Sequence, residues 1–329
     1  MSAIPFTTRR SRPMAHHSPL TTHPVFTDIH CHLLPGIDDG PRDWKASLAM
    51  AQMAVAGGIG TILATPHQLG RYEQNTAEQI LSLTAEAQRR FQHAGLPLTV
   101  LPGADVRIQE DLPELVEQGK ILTLASPKSE IRNPKSNEPR MEHRSNTDSN
   151  PCSVRVPSVA ASDFGFRYSY LLMELPHEQV LPLGRLLYRL QSLGITAILS
   201  HPERNQHLQD NPEILRPWVQ QGCLIQVTTG SIMGAFGREA QRVSRWLFRE
   251  NLVHLAATDA HNVTGRRPAW RQAYAKICQW EGRQRANDVF IRNPAAVVAG
   301  QPVEAPLPSS APKPGFASWF NSALATLRG

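Results

Sequence analysis

Residues 28–40 read Asp-Ile-His-Cys-His-Leu-Leu-Pro-Gly-Ile-Asp-Asp-Gly. His30 and His32 alternate inside an apolar run, so on a β-strand both imidazoles project from one face. Pro35-Gly36 ends the strand, and the acids Asp38 and Asp39 follow in the turn. Two neutral imidazoles beside carboxylates form a donor set for a divalent metal. A single histidine in this place would read as a packed core group. The His-x-His pair with adjacent acids favours a metal.

Outward from this stretch, seven short apolar runs read as buried strands: Val25–His30, Thr61–Thr65, Leu98–Pro102, Tyr170–Leu175, Thr196–Ser200, Leu224–Thr228 and Leu252–Thr258. Helical patterns separate most of them: Trp44–Ala56, Thr76–Ala94, Gln179–Leu193, Pro212–Gln221 and Arg238–Glu250. Gly57, Gly95, Gly194 and Gly222 follow four of these patterns, as left-handed helix caps would. Strand–helix alternation predicts parallel strands in an α/β fold. Continuously apolar strands that turn polar only at their C-terminal ends favour a TIM-like barrel over an antiparallel sheet.

The C-terminal ends of these strands carry the chemistry. In chain order they offer His30, His32 and Asp39, then His67, Asp105, Glu174 and His201. The sixth strand ends without a His or an acid and offers Gln226, Thr228 and Thr229 instead. The seventh ends in Asp259 and His261. Burying this many ionisable groups without partners is costly, whereas metal ions neutralise the carboxylates and order the imidazoles. Nine ligand-type groups exceed the capacity of one ion and point to two or three. Arg204 and the pair Arg266–Arg267 follow closely, and guanidinium groups bind phosphoryl oxygens in a bidentate manner. Arg267 fits a surface salt bridge better than the other two. Metals with arginines around a water-accessible pocket point to phosphate-ester hydrolysis. The remaining histidines are weaker candidates, and His254, inside the last strand, reads as a packed core group.

Composition narrows the classes. The chain has 329 residues and is 41% hydrophobic, enough for one large α/β domain or two small ones. Arg9, Arg10 and Arg12 are followed by no apolar stretch, so no secretory signal is expected. The most apolar window, 49–65, is broken by Gln52, Gly57, Gly58 and Gly60, and no membrane span is expected. Cys31, Cys152, Cys223 and Cys278 lie far apart with no Cys-x-x-Cys, which fits reduced thiols in the cytoplasm. The net charge of +6 lies in residues 1–24, 126–167 and 301–329, leaving a neutral remainder. Such a core argues against nucleic acid as a partner. Within it, 25–125 is acidic and 168–300 basic, which suits metal ligands in the first and anion-binding groups in the second.

Residues 1–24 read as a disordered extension, and the Ser-, Pro- and Asn-rich 126–167 as a disordered insertion into a domain spanning 25–300. The insertion follows a helical pattern at Pro113–Gln118 and precedes the strand carrying Glu174. Helix-to-strand connections lie on the barrel face opposite the active site, so the chemistry should be untouched. In the tail 301–329, Phe316, Trp319, Phe320, Ala323, Leu324 and Leu327 repeat at helical spacing. They predict a short amphipathic helix docked on its own domain.

Taken together, Asp-Ile-His-Cys-His, Asp-Asp-Gly, Thr-Pro-His, Glu174, His-Pro-Glu-Arg and Asp-Ala-His-Asn resemble the polymerase-and-histidinol-phosphatase (PHP) superfamily. Within it the chain is most similar to the bacterial manganese-dependent tyrosine-protein phosphatases of capsule and exopolysaccharide loci. That branch is marked by His-Leu-Leu-Pro-Gly-Ile-Asp-Asp-Gly-Pro, Gly-Arg-Tyr-Glu at 70–73, Leu-Pro-Gly-Ala-Asp-Val-Arg-Ile and Asn-Val-Thr-Gly-Arg-Arg-Pro. The resemblance implies a distorted (β/α)7 barrel with two to three metal ions, Mn2+ in first place and Fe or Zn as alternatives. It implies that His30, His32, Asp105 and Asp259 hold one ion, that Asp105 bridges to a second held with Glu174 and His201, and that Asp39, His67 and His261 hold a third. Arg204 and Arg266 would bind phosphate, a metal-bound hydroxide would attack phosphorus, and no cysteine would take part. The implied partner is a phosphotyrosine-bearing bacterial tyrosine kinase or another phosphoprotein, with homo-oligomerisation left open. The alternatives are a PHP phosphatase for histidinol phosphate or a sugar phosphate, and a metal-binding partner protein of reduced activity. The chain departs from the family pattern in its long insertion and in carrying Asp105 where Glu is usual.

Overall fold

The structure, a computed structural model, describes residues 25–124, 168–176 and 179–304. The expectations for 1–24, for 126–167 and for the amphipathic tail therefore lie outside the described residues, as does His177.

Nine parallel strand segments make the frame: β1 Phe26–Cys31, β2 Ile59–Ala64, β3 His67–Gln68, β4 Thr99–Pro102, β5 Asp105–Arg107, β6 Ser169–Glu174, β7 Ile195–Ser200, β8 Leu224–Thr228 and β9 Leu255–Ala257. They form a three-stranded sheet ordered β1-β2-β4 and a six-stranded sheet ordered β3-β5-β6-β7-β8-β9. Seven strands were expected, and the difference lies at two prolines. The path of β2 resumes as β3 after Thr65-Pro66, and that of β4 resumes as β5 after Pro102-Gly103-Ala104. A proline has no N–H for the ladder, so each strand is cut in two. Backbone bonds span the cuts: Thr65 N–H donates to Cys31 O (3.0 Å) and Asp105 N–H to Pro66 O (3.1 Å). On the other side, Asp259 N–H donates to His30 O (2.8 Å) and His32 N–H to Ala260 O (2.9 Å), joining β1 to the chain beyond β9. The expected barrel is thus present as two parallel sheets linked at both seams, not as one uninterrupted ladder.

Helices cover the outside: α1 Trp44–Gly57, α2 Ala77–His93, α3 Leu112–Glu117, α4 Gly184–Ser192, α5 Gln206–Asp210, α6 Leu215–Gln220, α7 Thr229–Met233, α8 Arg238–Arg249, α9 Arg271–Asn287 and α10 Asn293–Ala299. Asp43 and Thr76 cap α1 and α2 through their side chains. The left-handed residue ending α1 is Gly58 (φ 93°), while Gly57 is its last helical residue, one position off the expected cap. The helical reading of 179–193 is shortened to α4. That of 212–221 becomes a 3-10 turn, Pro212–Ile214, followed by α6. None of the helices is long and apolar enough to cross a membrane among the described residues.

Two apolar clusters show which way the strands face. The larger packs helices onto the outer strand faces and includes Cys31, so this thiol points away from the histidines on either side of it. The smaller gathers Ile29, Leu63, Tyr170, Leu172, Ile198, Leu224, Leu255 and Ala257 inside the frame, with Val297 of α10 among them. Stepping two residues along a strand keeps the face. The inner rows therefore run Tyr170-Leu172-Glu174, Ile198-Ser200, Leu224-Gln226 and Leu255-Ala257-Asp259, from apolar to polar. The site begins where the apolar filling stops. Leu124 and Tyr168, flanking the undescribed 125–167, sit at the other end of β6: Leu124 N–H donates to Tyr170 O (2.8 Å) and Tyr168 N–H to Gly300 O (3.0 Å).

Candidate metal centre

All nine ligand-type residues expected from the sequence meet at the C-terminal ends of the strands. His30 Nε2 lies 3.2 Å from Asp259 Oδ1, 3.3 Å from His32 Nε2 and 3.6 Å from Asp105 Oδ2. His67 Nδ1 is 3.5 Å from both Asp105 Oδ2 and Glu174 Oε2, and His201 Nε2 is 3.7 Å from Glu174 Oε1. Asp39 Oδ1 faces His261 Nε2 (3.2 Å) and His67 Nε2 (3.5 Å). Four overlapping sets have converging donor atoms: His32-Asp39-His67-His261, His30-Asp105-His201, His30-His32-Asp259 and His67-Asp105-Glu174. The grouping implied by resemblance is close to this. It differs in that His32 also reaches the Asp39 set, and His67 also reaches Glu174.

Metal fits these residues on one particular ground. Asp105 Oδ2, Asp259 Oδ1 and His261 Nε2 are buried atoms with no hydrogen-bond partner, and all three point into the cluster. An orphaned buried acceptor costs about 1–3 kcal/mol, and three in one place are not tolerated for packing alone. Two of the ligand-type residues also adopt left-handed backbone, His201 (φ 31°) and Asp259 (φ 51°). Such strain, about 1–3 kcal/mol each, persists where the surroundings over-determine it.

A second set of groups aims the ligands. His30 Nδ1 meets Gln226 Oε1 at 2.9 Å, which gives the sixth strand its part in the site and leaves Nε2 facing the cluster. His32 Nδ1 meets Asp38 Oδ2 at 2.7 Å; the same oxygen accepts the His67 N–H (3.1 Å), and Oδ1 accepts the Gly40 N–H (2.9 Å). The turn acids thus divide, with Asp38 positioning and Asp39 among the ligand-type groups. Ser200 Oγ donates to Asp105 Oδ1 (3.1 Å). Glu203, buried, accepts from Thr228 N–H and Thr228 Oγ1 (3.0 Å each), tying the His-Pro-Glu-Arg turn to β8. His-x-His and Asp-Asp announce ligands in the sequence. Gln226 was among the polar groups that the sixth strand end offers, but its partner was not legible; the hydroxyl of Ser200 carries no such signal, because only the register of β7 brings it in.

The electrostatics follow from burial. Desolvation pulls His30 and His67 down to about 3. It pulls on His32 too, but Asp38 and Asp259 outweigh it and hold His32 up at about 10. Burial, and then Glu174, pushes Asp105 well above the carboxylate range; burial also raises Glu174. Asp259 goes the other way: burial opposes its charge, but His30, His32 and Arg266 hold it well below the usual range. Burial thus disfavours charge on Asp105 and Glu174, while the carboxylates around His32 favour charge on its imidazole.

The two arginines sit at the rim. Arg204 Nη1 and Arg266 Nη2 each reach Asp259 Oδ2 at 2.5 Å, and their guanidinium carbons lie 4.3 and 6.0 Å from the Phe236 ring centre. The Asn262 carboxamide accepts N–H groups of Thr264, Gly265 and Arg266, which folds the Asn-Val-Thr-Gly-Arg loop so that Arg266 turns inward. Arg266 Nε is a buried donor without a partner. Arg267 is exposed, in keeping with a surface role. His254 is buried, its Nδ1 accepting the Ile225 N–H (3.0 Å), and lies outside the site as expected.

The fold and the converging donors define an α/β barrel protein with a centre of metal-ligand type. The chain belongs to the capsular polysaccharide synthesis family CpsB/CapC, whose sequence model matches residues 26–131 and 166–299. Among its relatives, tyrosine-protein phosphatase YwqE of Bacillus subtilis is 32% identical over 240 residues, 73% of this chain and 78% of that protein. Tyrosine-protein phosphatase CpsB of Streptococcus agalactiae serotype III is 27% identical over 282 residues, 82% and 97% of the two chains. A crystal structure from work on YwqE of Bacillus subtilis and CpsB of Streptococcus pneumoniae, described as unique metal-dependent tyrosine phosphatases, superposes with a TM-score of 0.71 at 28% identity. It covers 87% of this chain and all of that one.

Proposed function

We propose that this protein is a metal-dependent protein-tyrosine phosphatase of capsular or exopolysaccharide synthesis. Its substrate is a phosphotyrosine-bearing tyrosine kinase or another phosphoprotein. The observation that carries this reading is that three orphaned buried ligand atoms, on Asp105, Asp259 and His261, converge with the ligand-type residues Asp39, His67, Glu174 and His201, which line one pocket together with the two rim arginines. His30, His32, Asp105 and Asp259 would hold one ion, Asp105 with Glu174 and His201 a second, and Asp39, His67 and His261 a third. Mn2+ suits this mixture of imidazole and carboxylate donors, with Fe and Zn as alternatives. Two or three ions there supply Lewis-acid activation of water and neutralise charge on the phosphoryl group.

The chain's own residues do the rest. Arg204 and Arg266 each donate one hydrogen bond to Asp259, leaving donors, including the orphaned Arg266 Nε, to orient a phosphate. Asp259 shares its load, with Oδ2 on the arginines and Oδ1 toward the imidazoles, so phosphate binding and the metal centre are mechanically linked. The thiols stay out: burial pushes Cys31 well above its ordinary range and Cys223 up to about 12.

The test is metal-stripped protein reconstituted with Mn2+, Fe2+ or Zn2+ and assayed on a phosphotyrosine peptide, a phosphoserine peptide, histidinol phosphate and a sugar phosphate. The expected outcome is metal-restored turnover with the phosphotyrosine peptide preferred. Faster turnover of a small phosphate would favour the small-molecule reading. No turnover with any metal would sink the enzymatic one.

A further inference from the structure

The Gly-Arg-Tyr-Glu segment is left over from the chemistry above, yet it lies at the site. After β3 the chain makes a tight turn: Leu69 (φ 72°) and Gly70 (φ 60°) are both left-handed, and Tyr72 N–H donates to Leu69 O (3.1 Å). Gly70 adopts its left-handed φ without the strain a side chain would bring, and a Cβ there would have to displace the Arg107 side chain. The turn lays the half-buried Tyr72 ring over His67, centres 5.1 Å apart and planes within 15°. The Arg71 guanidinium carbon lies 5.9 Å from the Tyr72 ring centre. Arg71, Tyr72 and Arg107 line the same pocket as Asp39, Arg204 and Arg266. Arg204 and Arg266 are paired with Asp259. Arg71 and Arg107 are exposed and form no ion pair with any described residue.

An aromatic ring flanked by two uncommitted cations, at the mouth of a pocket for a phosphoryl group, is suited to an aryl phosphate in an acidic setting. We propose that Tyr72 packs against the phenyl ring of the phosphotyrosine, while Arg71 and Arg107 hold an acidic side chain next to it in the peptide. This inference rests on the phosphotyrosine reading above. Consecutive residues of an extended peptide lie about 3.3–3.6 Å apart, so a neighbour within two positions is in reach of arginines that share the pocket. Exposed pairs are individually weak and screened by salt. Two of them give about a three- to tenfold gain in kcat/KM, mostly in KM, which fades as ionic strength rises.

The experiment uses the Mn2+-loaded full chain on three phosphotyrosine peptides that differ only in flanking Glu, Gln or Lys, with p-nitrophenyl phosphate as a substrate that has no flanks. The wild type should favour Glu over Gln over Lys. Arg71→Gln with Arg107→Gln should level the three, changing p-nitrophenyl phosphate no more than the Gln peptide, and Arg71→Glu with Arg107→Glu should invert the order. Tyr72→Leu should raise KM for all four substrates alike. Equal wild-type rates on the three peptides, or a Glu preference surviving the double Gln variant, overturns the inference while leaving the phosphatase reading intact. No turnover of any aryl phosphate overturns both.

Discussion

Replacing Asp38 by Asn tests whether the centre depends on a residue outside the converging ligand-type set. Both oxygens of Asp38 act only as acceptors, Oδ2 from His32 Nδ1 (2.7 Å) and the His67 N–H (3.1 Å), Oδ1 from the Gly40 N–H (2.9 Å). The side chain is 1% exposed, so water cannot substitute for it. Burial pushes the carboxyl up, but His32 outweighs that and holds it below its usual range, so the charged form is the one present. An asparagine must turn its NH2 group toward one set of donors. If it faces Gly40, a buried N–H loses its acceptor. If it faces His32, the imidazole gives up its Nδ1 proton and moves it to Nε2, the nitrogen needed for metal. A charge-assisted bond of this kind is worth about 1.5–3 kcal/mol, or roughly 10–100-fold in metal affinity. The assay is Mn2+ titration against a competing chelator, with kcat/KM on a phosphotyrosine peptide at limiting and saturating Mn2+. The variant should bind Mn2+ at least tenfold more weakly and recover much of its rate at saturation. Metal affinity and rate both equal to wild type would refute the positioning role. An unchanged affinity with a lost rate would place Asp38 in the chemistry.

Three further outcomes follow from the same geometry. Mn2+ binding at pH 7 should release protons, since His32 sits at about 10 and Asp105 well above its usual range before metal arrives; calorimetry in two buffers of different ionisation enthalpy that finds none would contradict this. Asp105→Glu should lower kcat/KM despite matching the usual family residue. The fully buried Asp105 already reaches the cluster, and the extra methylene, about 1.5 Å long, must break the Ser200 bond and overpack the site; a tenfold rise would refute it. His254 is held at about 3 by burial, against 6.5 unfolded, so below pH 6.5 the unfolded chain takes up a proton that the folded one refuses. Stability should then fall toward acid by up to about 1.4 kcal/mol per pH unit, and chemical denaturation of His254→Asn, whose amide oxygen can still accept the Ile225 N–H, should show a shallower acid limb. Identical limbs would show that His254 contributes nothing there.

What the sequence could and could not disclose divides along physical lines. The seven apolar runs were legible because strands filled from both sides need continuous apolar side chains, and β8 was found at its observed bounds. The nine ligand-type residues were legible because ionisable groups at the ends of such runs have no packing purpose. Boundaries between pieces were harder: the apolar runs stop at Thr65 and Pro102, so the short strands β3 and β5 beyond them were not marked as separate pieces, and α9 and α10 went unmarked. The apolar residues of α9 are interspersed with charged and amide side chains, and α10 is only seven residues long, too short for a helical period to show.

The least legible part is the support of the site. Gln226 was legible as a strand-end polar group but not as the partner of His30, and Ser200 and Asp28 acquire their roles only from the neighbours that the fold brings to them. Asp28 shows why. Its buried carboxyl, raised to about 7 mainly by desolvation, accepts the Thr258 N–H (3.0 Å) and the Thr258 hydroxyl, fastening β1 beside the last strand directly below His30 and Asp259. Those two residues are 229 positions apart in sequence, yet their ligand atoms must meet within 3.2 Å. A seam that carries few ladder bonds needs a polar strap to hold that distance. The strap must be buried to be rigid, and burial is what lifts its pKa. The same desolvation that makes the metal ligands costly without a metal therefore also produces the rigidity that keeps them in register.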